Sequence, residues 1–242
     1  GKNELQAQIE TYLLSLLSQL PVEMIKVSPT LQPQALNAMR RLEKTVKKNI
    51  LVNGLLKKEA GSLYRMCNAS ITFLSGAPES NIVGATASVL LEVDEAQDVL
   101  PEKFDKDIAP MAASTNATRV FWGTAWTSRT LLGRELRAAR AAEAADGIRR
   151  VFIRTADDVS AEVPAYANHV QETIRRQGRS HPLVRTQYFS EEIDSQGGMF
   201  PAERIARMNP KNIPFSIPPA TPQPGRQYAL LLDVAGEDEG VR

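Results

Sequence analysis

Apolar and polar positions alternate along the chain in two rhythms, one helical and one strand-like. Leu5, Ile9, Tyr12, Leu13, Leu16 and Leu17 recur at helical spacing and give the first segment an apolar face. Met24 to Val27 predicts a short strand, which runs through Ser28, Pro29 and Thr30 to a helix opened by Pro33 and carrying Leu36, Met39, Leu42 and Val46. Ser62 to Met66 and Ser70 to Leu74 read as paired strands around Asn68, with Ile71 and Phe73 pointing inward. Val89, Leu90, Leu91 and Val93 form the most apolar strand, and Val120 to Trp122 forms another that ends in Gly123, Thr124 and Ala125. Phe104 and Ile108 suggest a short helix between those two strands, and an alanine-rich helix spans Thr130 to Ala145 with Arg134, Arg137 and Arg140 on its polar side. Further on, Val151 to Ile153 predicts a strand, Ala165 to Gln177 an amphipathic helix with His169 on its surface, Leu183 to Phe189 a strand, and Pro201 to Met208 a short helix.

Beyond Met208 the texture changes. Pro210, Pro214, Pro218, Pro219, Pro222 and Pro224 crowd one segment with few apolar neighbours, which predicts an extended linker over 209–226. Tyr228 to Leu232 then reads as a new buried strand ending in Asp233, with Glu237, Asp238 and Glu239 following. The expected organisation is a first domain over 1–208, the linker, and the start of a second domain over 227–242.

Chemistry concentrates where the strand over 89–93 meets Asp94 and Glu95. Open α/β sheets place their ligand sites at the carboxyl ends of strands. An aspartate there can hold magnesium, and an adjacent carboxylate can orient and deprotonate an attacking water, so Asp94 takes the first role and Glu95 the second. Glu92 fits less well, because it sets a charge inside a run that should be apolar. The plain alternative is a buried strand followed by a solvated acidic turn. At the start of the chain, Gly1, Lys2 and Asn3 run directly into the first helix, as the tail of a phosphate-binding loop would. On that reading the loop's first half and preceding strand are missing, and Asn3 stands where a hydroxyl residue normally touches magnesium. The strand ending in Gly123 and Thr124 would put a hydroxyl beside the terminal phosphate.

Composition narrows little. The 242 residues are 43% hydrophobic and 24% charged, ordinary for a soluble globular chain, and a net charge of +1 excludes a whole-chain field for nucleic acid. A local basic surface is available in Arg40, Arg41, Lys44, Lys47, Lys48, Lys57 and Lys58, readable either as a solvated face or as a track for a phosphate backbone. One cysteine, Cys67, excludes an internal disulfide framework, and His169 and His181 lack metal-pair spacing. No apolar run approaches a membrane span and no leader pattern opens the chain, so the expectation is a soluble protein without an export signal.

The ordered set GKNE, VSPTLQPQA, VLLEVDEAQDV, VFWGT, a proline-rich segment and YALLLDVAGEDEG resembles the large terminase subunit of tailed bacteriophages. The resemblance implies an α/β fold: a P-loop ATPase domain with a mostly parallel sheet flanked by helices, its first strand missing. After the linker it implies the first strand of a ribonuclease-H-like nuclease. Carried over by position, Gly1, Lys2 and Asn3 would bind ATP, Asp94 the ATPase magnesium, and Glu95 would be catalytic. Gly123 and Thr124 look like a coupling motif, and Asp233 like a nuclease ligand for a divalent metal. The family implies ATP hydrolysis driving double-stranded DNA into a procapsid, with portal and small-subunit partners, a homo-oligomeric ring and a host-cytoplasmic location. SPT and DEAQ are also helicase-like, so a helicase-type translocase is the main rival, and a non-catalytic docking fragment is the other.

Overall fold

The computed structural model describes residues 1–193. Helix α1 (Lys2–Leu16) leads to β1 (Glu23–Ser28), a π-type turn (Leu31–Ala35) and helix α2 (Leu36–Lys48). Strands β2 (Leu56–Lys58), β3 (Leu63–Met66) and β4 (Ala69–Ser75) follow, then β5 (Leu90–Val93). A run of short helical turns opens with α3 (Pro101–Lys103) and leads to β6 (Thr118–Phe121) and helix α4 (Leu131–Asp146). Helices α5 (Ala156–Ser160), α6 (Pro164–Gln177) and α7 (Pro182–Phe189) complete the described residues.

The six strands make one sheet in the order β2-β3-β4-β1-β5-β6. Strands β4, β1, β5 and β6 run parallel, and the β2–β3 hairpin adds two antiparallel strands at one edge. Because side chains alternate across a strand, the register decides what each face carries. Met24 and Leu90 pair on the face covered by α1 and α2, with Leu42, Tyr64 and Phe73 in the same core. Ile25, Val27, Leu91 and Val93 point to the opposite face and pack with Phe104, Ile108 and Leu131. A small third core of Ala156, Val170, Val184 and Phe189 joins α5, α6 and α7.

Several sequence expectations need correction. The apolar face of α1 is turned largely outward: Leu5, Tyr12 and Leu16 are 49%, 63% and 61% exposed, while Gln6, Ala7, Glu10, Thr11 and Leu14 are buried. The reason lies in β1. Lys26 pairs in register with Glu92, so both project toward α1, and the helix must meet them with polar groups. Lys26 donates to Glu10 Oε1 at 2.5 Å and to Gln6 Oε1 at 2.7 Å, and Glu92 Oε2 lies 3.9 Å away. Trp122 Nε1 donates to Glu92 Oε1 at 3.0 Å. Burial first, then the nearby Glu10 carboxyl, pushes the Glu92 carboxyl well above the usual carboxylate range, with Lys26 pulling the other way. Glu92 is therefore no flaw in the strand but the partner of a buried lysine.

Val151 to Ile153 is not a strand; Phe152 is 72% exposed, and the Val151 amide is taken by the Glu143 carboxylate at 2.7 Å instead of by a neighbouring strand. Leu183 to Phe189 is helix α7, not a strand. Pro182 occupies its first turn and His181 Nδ1 accepts from the Leu183 amide, so the end signals win over the apolar run. The helix expected from Pro33 begins as the π-type turn and becomes regular at Leu36. The expected helix over Pro201 to Met208, the linker over 209–226, and the strand ending in Asp233 lie outside the described residues.

Phe73 is fully buried on β4 and meets Tyr64 edge-on at 5.8 Å between ring centroids. Phe73→Ala is expected to lower unfolding free energy by about 3–5 kcal/mol, read as a reduced urea midpoint at unchanged slope.

Candidate active site at the carboxyl end of β5

Helix α1 places Lys2, Gln6 and Glu10 four residues apart, and so along one stripe. That stripe runs down the sheet from the ends of the strands to the interior. Glu10 and Gln6 hold Lys26, Gln6 also reaches Asp94, and Lys2 reaches Glu95. Gln6 Nε2 donates to Asp94 Oδ1 at 2.9 Å, and Lys2 Nζ lies 2.6 Å from Glu95 Oε2. The Asp94 amide donates to Val27 O at 2.8 Å, which ties the carboxylate's backbone to the end of β1.

Strand alternation would send Asp94 and Glu95 to opposite faces of the sheet. Glu95 avoids this by leaving the strand in the left-handed region, at φ 45° and ψ 50°. The turn swings its side chain back to the side of Asp94 and α1. For a residue bearing a Cβ this conformation costs on the order of 1–2 kcal/mol, and such strain gathers where a side chain must be aimed.

Glu95 Oε2 also accepts from Gln97 Nε2 at 2.9 Å, while Gln97 Oε1 accepts from the Thr124 amide at 3.1 Å. One side chain therefore links the carboxylate to the turn after β6. Gly123 must be glycine for this link, since a Cβ there would collide with Gln97 Oε1 and come within 2.7 Å of Leu132 Cδ2. The backbone around it is fixed by Trp122 N to Val93 O at 2.9 Å and Ala96 N to Trp122 O at 2.8 Å. Gln97 carries no role in the sequence reading, although the DEAQ run contains it.

The structure thus brings together Gly1, Lys2, Asn3, Asp94, Glu95, Gly123 and Thr124 around one end of the sheet; Asp233 lies outside the described residues. Both hydrogen bonds to Glu95 fall on Oε2 and the one side-chain bond to Asp94 falls on Oδ1, so among the described residues nothing bonds Glu95 Oε1 or Asp94 Oδ2. Asn3 Oδ1 is buried with no hydrogen-bond partner. An orphaned amide oxygen and a free carboxylate oxygen are hard donors of the kind magnesium takes alongside phosphate and water, so these residues fit that ion. Among the described residues no group of three or more His, Cys, Asp or Glu could hold a metal by itself. Arg40, Lys44, Lys47, Lys48, Lys57 and Lys58 are exposed. No helix among the described residues is long and apolar enough to cross a membrane.

No family model and no curated protein matches the chain. Solved structures do. The ATPase domain of the Thermus phage P74-26 large terminase superposes with a TM-score of 0.54 at 15% identity, covering 79% of this chain and 84% of that one. The large terminase of bacteriophage HK97 gives 0.61 at 17% identity over 80% of this chain. A third large terminase, from a thermophilic bacteriophage and in complex with ADP, gives 0.55 at 12% over 76%. The chain spans 44% of the length of each of the latter two. At these identities the likeness is one of architecture: the chain has the α/β fold of the phage large terminase ATPase domain.

Proposed function

We propose that this chain is the ATP-hydrolysing motor of a phage DNA-packaging terminase. The observation that carries the reading is the convergence of Lys2, Asp94 and Glu95 at one strand end, made possible by the left-handed turn at Glu95. Its setting in a fold shared with terminase ATPase domains supports it, as does the ADP complex of the thermophilic-phage terminase.

In this reading the first turn of α1 receives the nucleotide phosphates, and Lys2 exchanges part of its contact with Glu95 for the terminal phosphate. Asp94 and Asn3 would hold magnesium, which would neutralise charge on the phosphate oxygens. Glu95 Oε1 accepts a proton from water as the water oxygen bonds to the terminal phosphorus. The bond from that phosphorus to the bridging oxygen breaks, releasing ADP and inorganic phosphate. Loss of the terminal phosphate returns Lys2 to Glu95, and Gln97 carries the resulting shift of Glu95 to the Thr124 amide and so to β6. Double-stranded DNA is the translocated substrate, with a homo-oligomeric ring docked through the portal on the procapsid, a small subunit as partner and the host cytoplasm as location. Asp233 begins a nuclease domain and serves as one ligand of its divalent metal.

Glu95→Gln should keep nucleotide binding and lower hydrolysis by about 10²–10⁴-fold, because an amide accepts no proton. Turnover within a few-fold of the parent would move the base elsewhere. Gln97→Ala and Gly123→Ala should each leave ADP affinity near the parent value while slowing hydrolysis by roughly 10- to 100-fold; a change in affinity alone would deny Gln97 its linking role. Asp233→Ala should abolish DNA cleavage by the intact protein and spare its ATPase, as measured by plasmid nicking and phosphate release side by side.

A further inference from the structure

The structure assigns Gln6 as a positioning residue for Asp94, with Lys26 setting which way its amide points; the assignment rests on the reading of Asp94 as a magnesium ligand. An amide has one accepting and one donating end. Lys26 can only donate, so the Gln6 oxygen, 2.7 Å from Lys26 Nζ, must face the lysine, and the Gln6 NH₂ must face Asp94. The flip that is ordinarily ambiguous in an amide is here decided by chemistry. All of this is sealed from solvent: Gln6 and Lys26 are each 1% exposed and Asp94 is 5% exposed.

The consequence falls on Asp94. Its Oδ1 is capped by a fixed donor and its backbone amide is tied to Val27, so the carboxylate is held from two sides. Among the described residues only Oδ2 is left without a side-chain hydrogen bond. A carboxylate held in this way binds a small octahedral ion through one oxygen and cannot swing to chelate it through both. Lys26 acts through Gln6, and Glu10 acts through Lys26, so a buried ion pair far inside the sheet fixes the geometry of a group at its end. Outer partners of this kind typically change metal affinity by about 10- to 100-fold.

The test is the dissociation constant of Mn²⁺ for the intact protein saturated with ADP, followed by the electron paramagnetic resonance of free Mn²⁺, beside the metal-free affinity for ADP. Gln6→Leu removes the donor. Gln6→Glu keeps an oxygen on Lys26, which protects the fold, but turns an acceptor toward Asp94. Both are expected to weaken Mn²⁺ roughly tenfold or more while ADP affinity stays within about twofold. A merely structural role would lower the folded fraction or weaken ADP equally, and unchanged or tighter Mn²⁺ binding in either folded variant would overturn the assignment. Asp94→Asn separates the two layers. If it weakens Mn²⁺ and the Gln6 variants do not, the positioning role alone falls; if it leaves Mn²⁺ binding intact, the metal reading falls and takes this one with it.

Discussion

The ammonium of Lys26 is the constraint to which the rest of the site is fitted. A lysine at 1% exposure in a central strand is tolerable only with anions and acceptors at hand, and it has Glu10, Gln6 and Glu92. Two of these come from one helix, so the demand of a single strand residue selects which side of α1 faces the sheet. With that side fixed, Lys2 necessarily arrives over the end of β5, because it lies two helical steps of four before Glu10. Removing one partner of such a buried pair typically costs about 3–5 kcal/mol, which makes the helix's rotation hard to change.

Much of the architecture was legible from residue pattern because it depends on local rules. The parallel strands were visible as apolar runs, α4 through its alanine-rich interior, and the β3–β4 pair through its alternation about Asn68. The outward turn of α1 was not legible, since helical periodicity names an apolar face without naming what the opposite face must satisfy. Gln6 and Glu10 on α1 are separated by a loop from Lys26 on β1, and only the packing of the helix against the sheet shows that they meet. The departure at Leu183 to Phe189 has another cause: a short apolar run fits either period, and the proline and histidine at its start decide the matter locally.

Within the site, Asp94 and Glu95 were readable because adjacent carboxylates after a buried strand are unusual, and Gly123 with Thr124 because a strand ended there. Gln97 lay in plain view in DEAQD. What singles it out is the pair of bonds it makes in opposite directions, to Glu95 and to the Thr124 amide, and a linear pattern carries no sign of that.

The left-handed backbone at Glu95 has an evolutionary consequence. Glycine would relax that turn, since it enters φ > 0 without the steric cost that any Cβ brings. Selection for stability alone would therefore drift this position toward glycine, and with it the carboxylate would be lost. A glutamate there marks a place where the molecule accepts a less comfortable backbone in return for what the side chain can reach, here Lys2 and Gln97. A library sorted only for thermal robustness should accumulate changes at residue 95 sooner than at the unstrained Asp94.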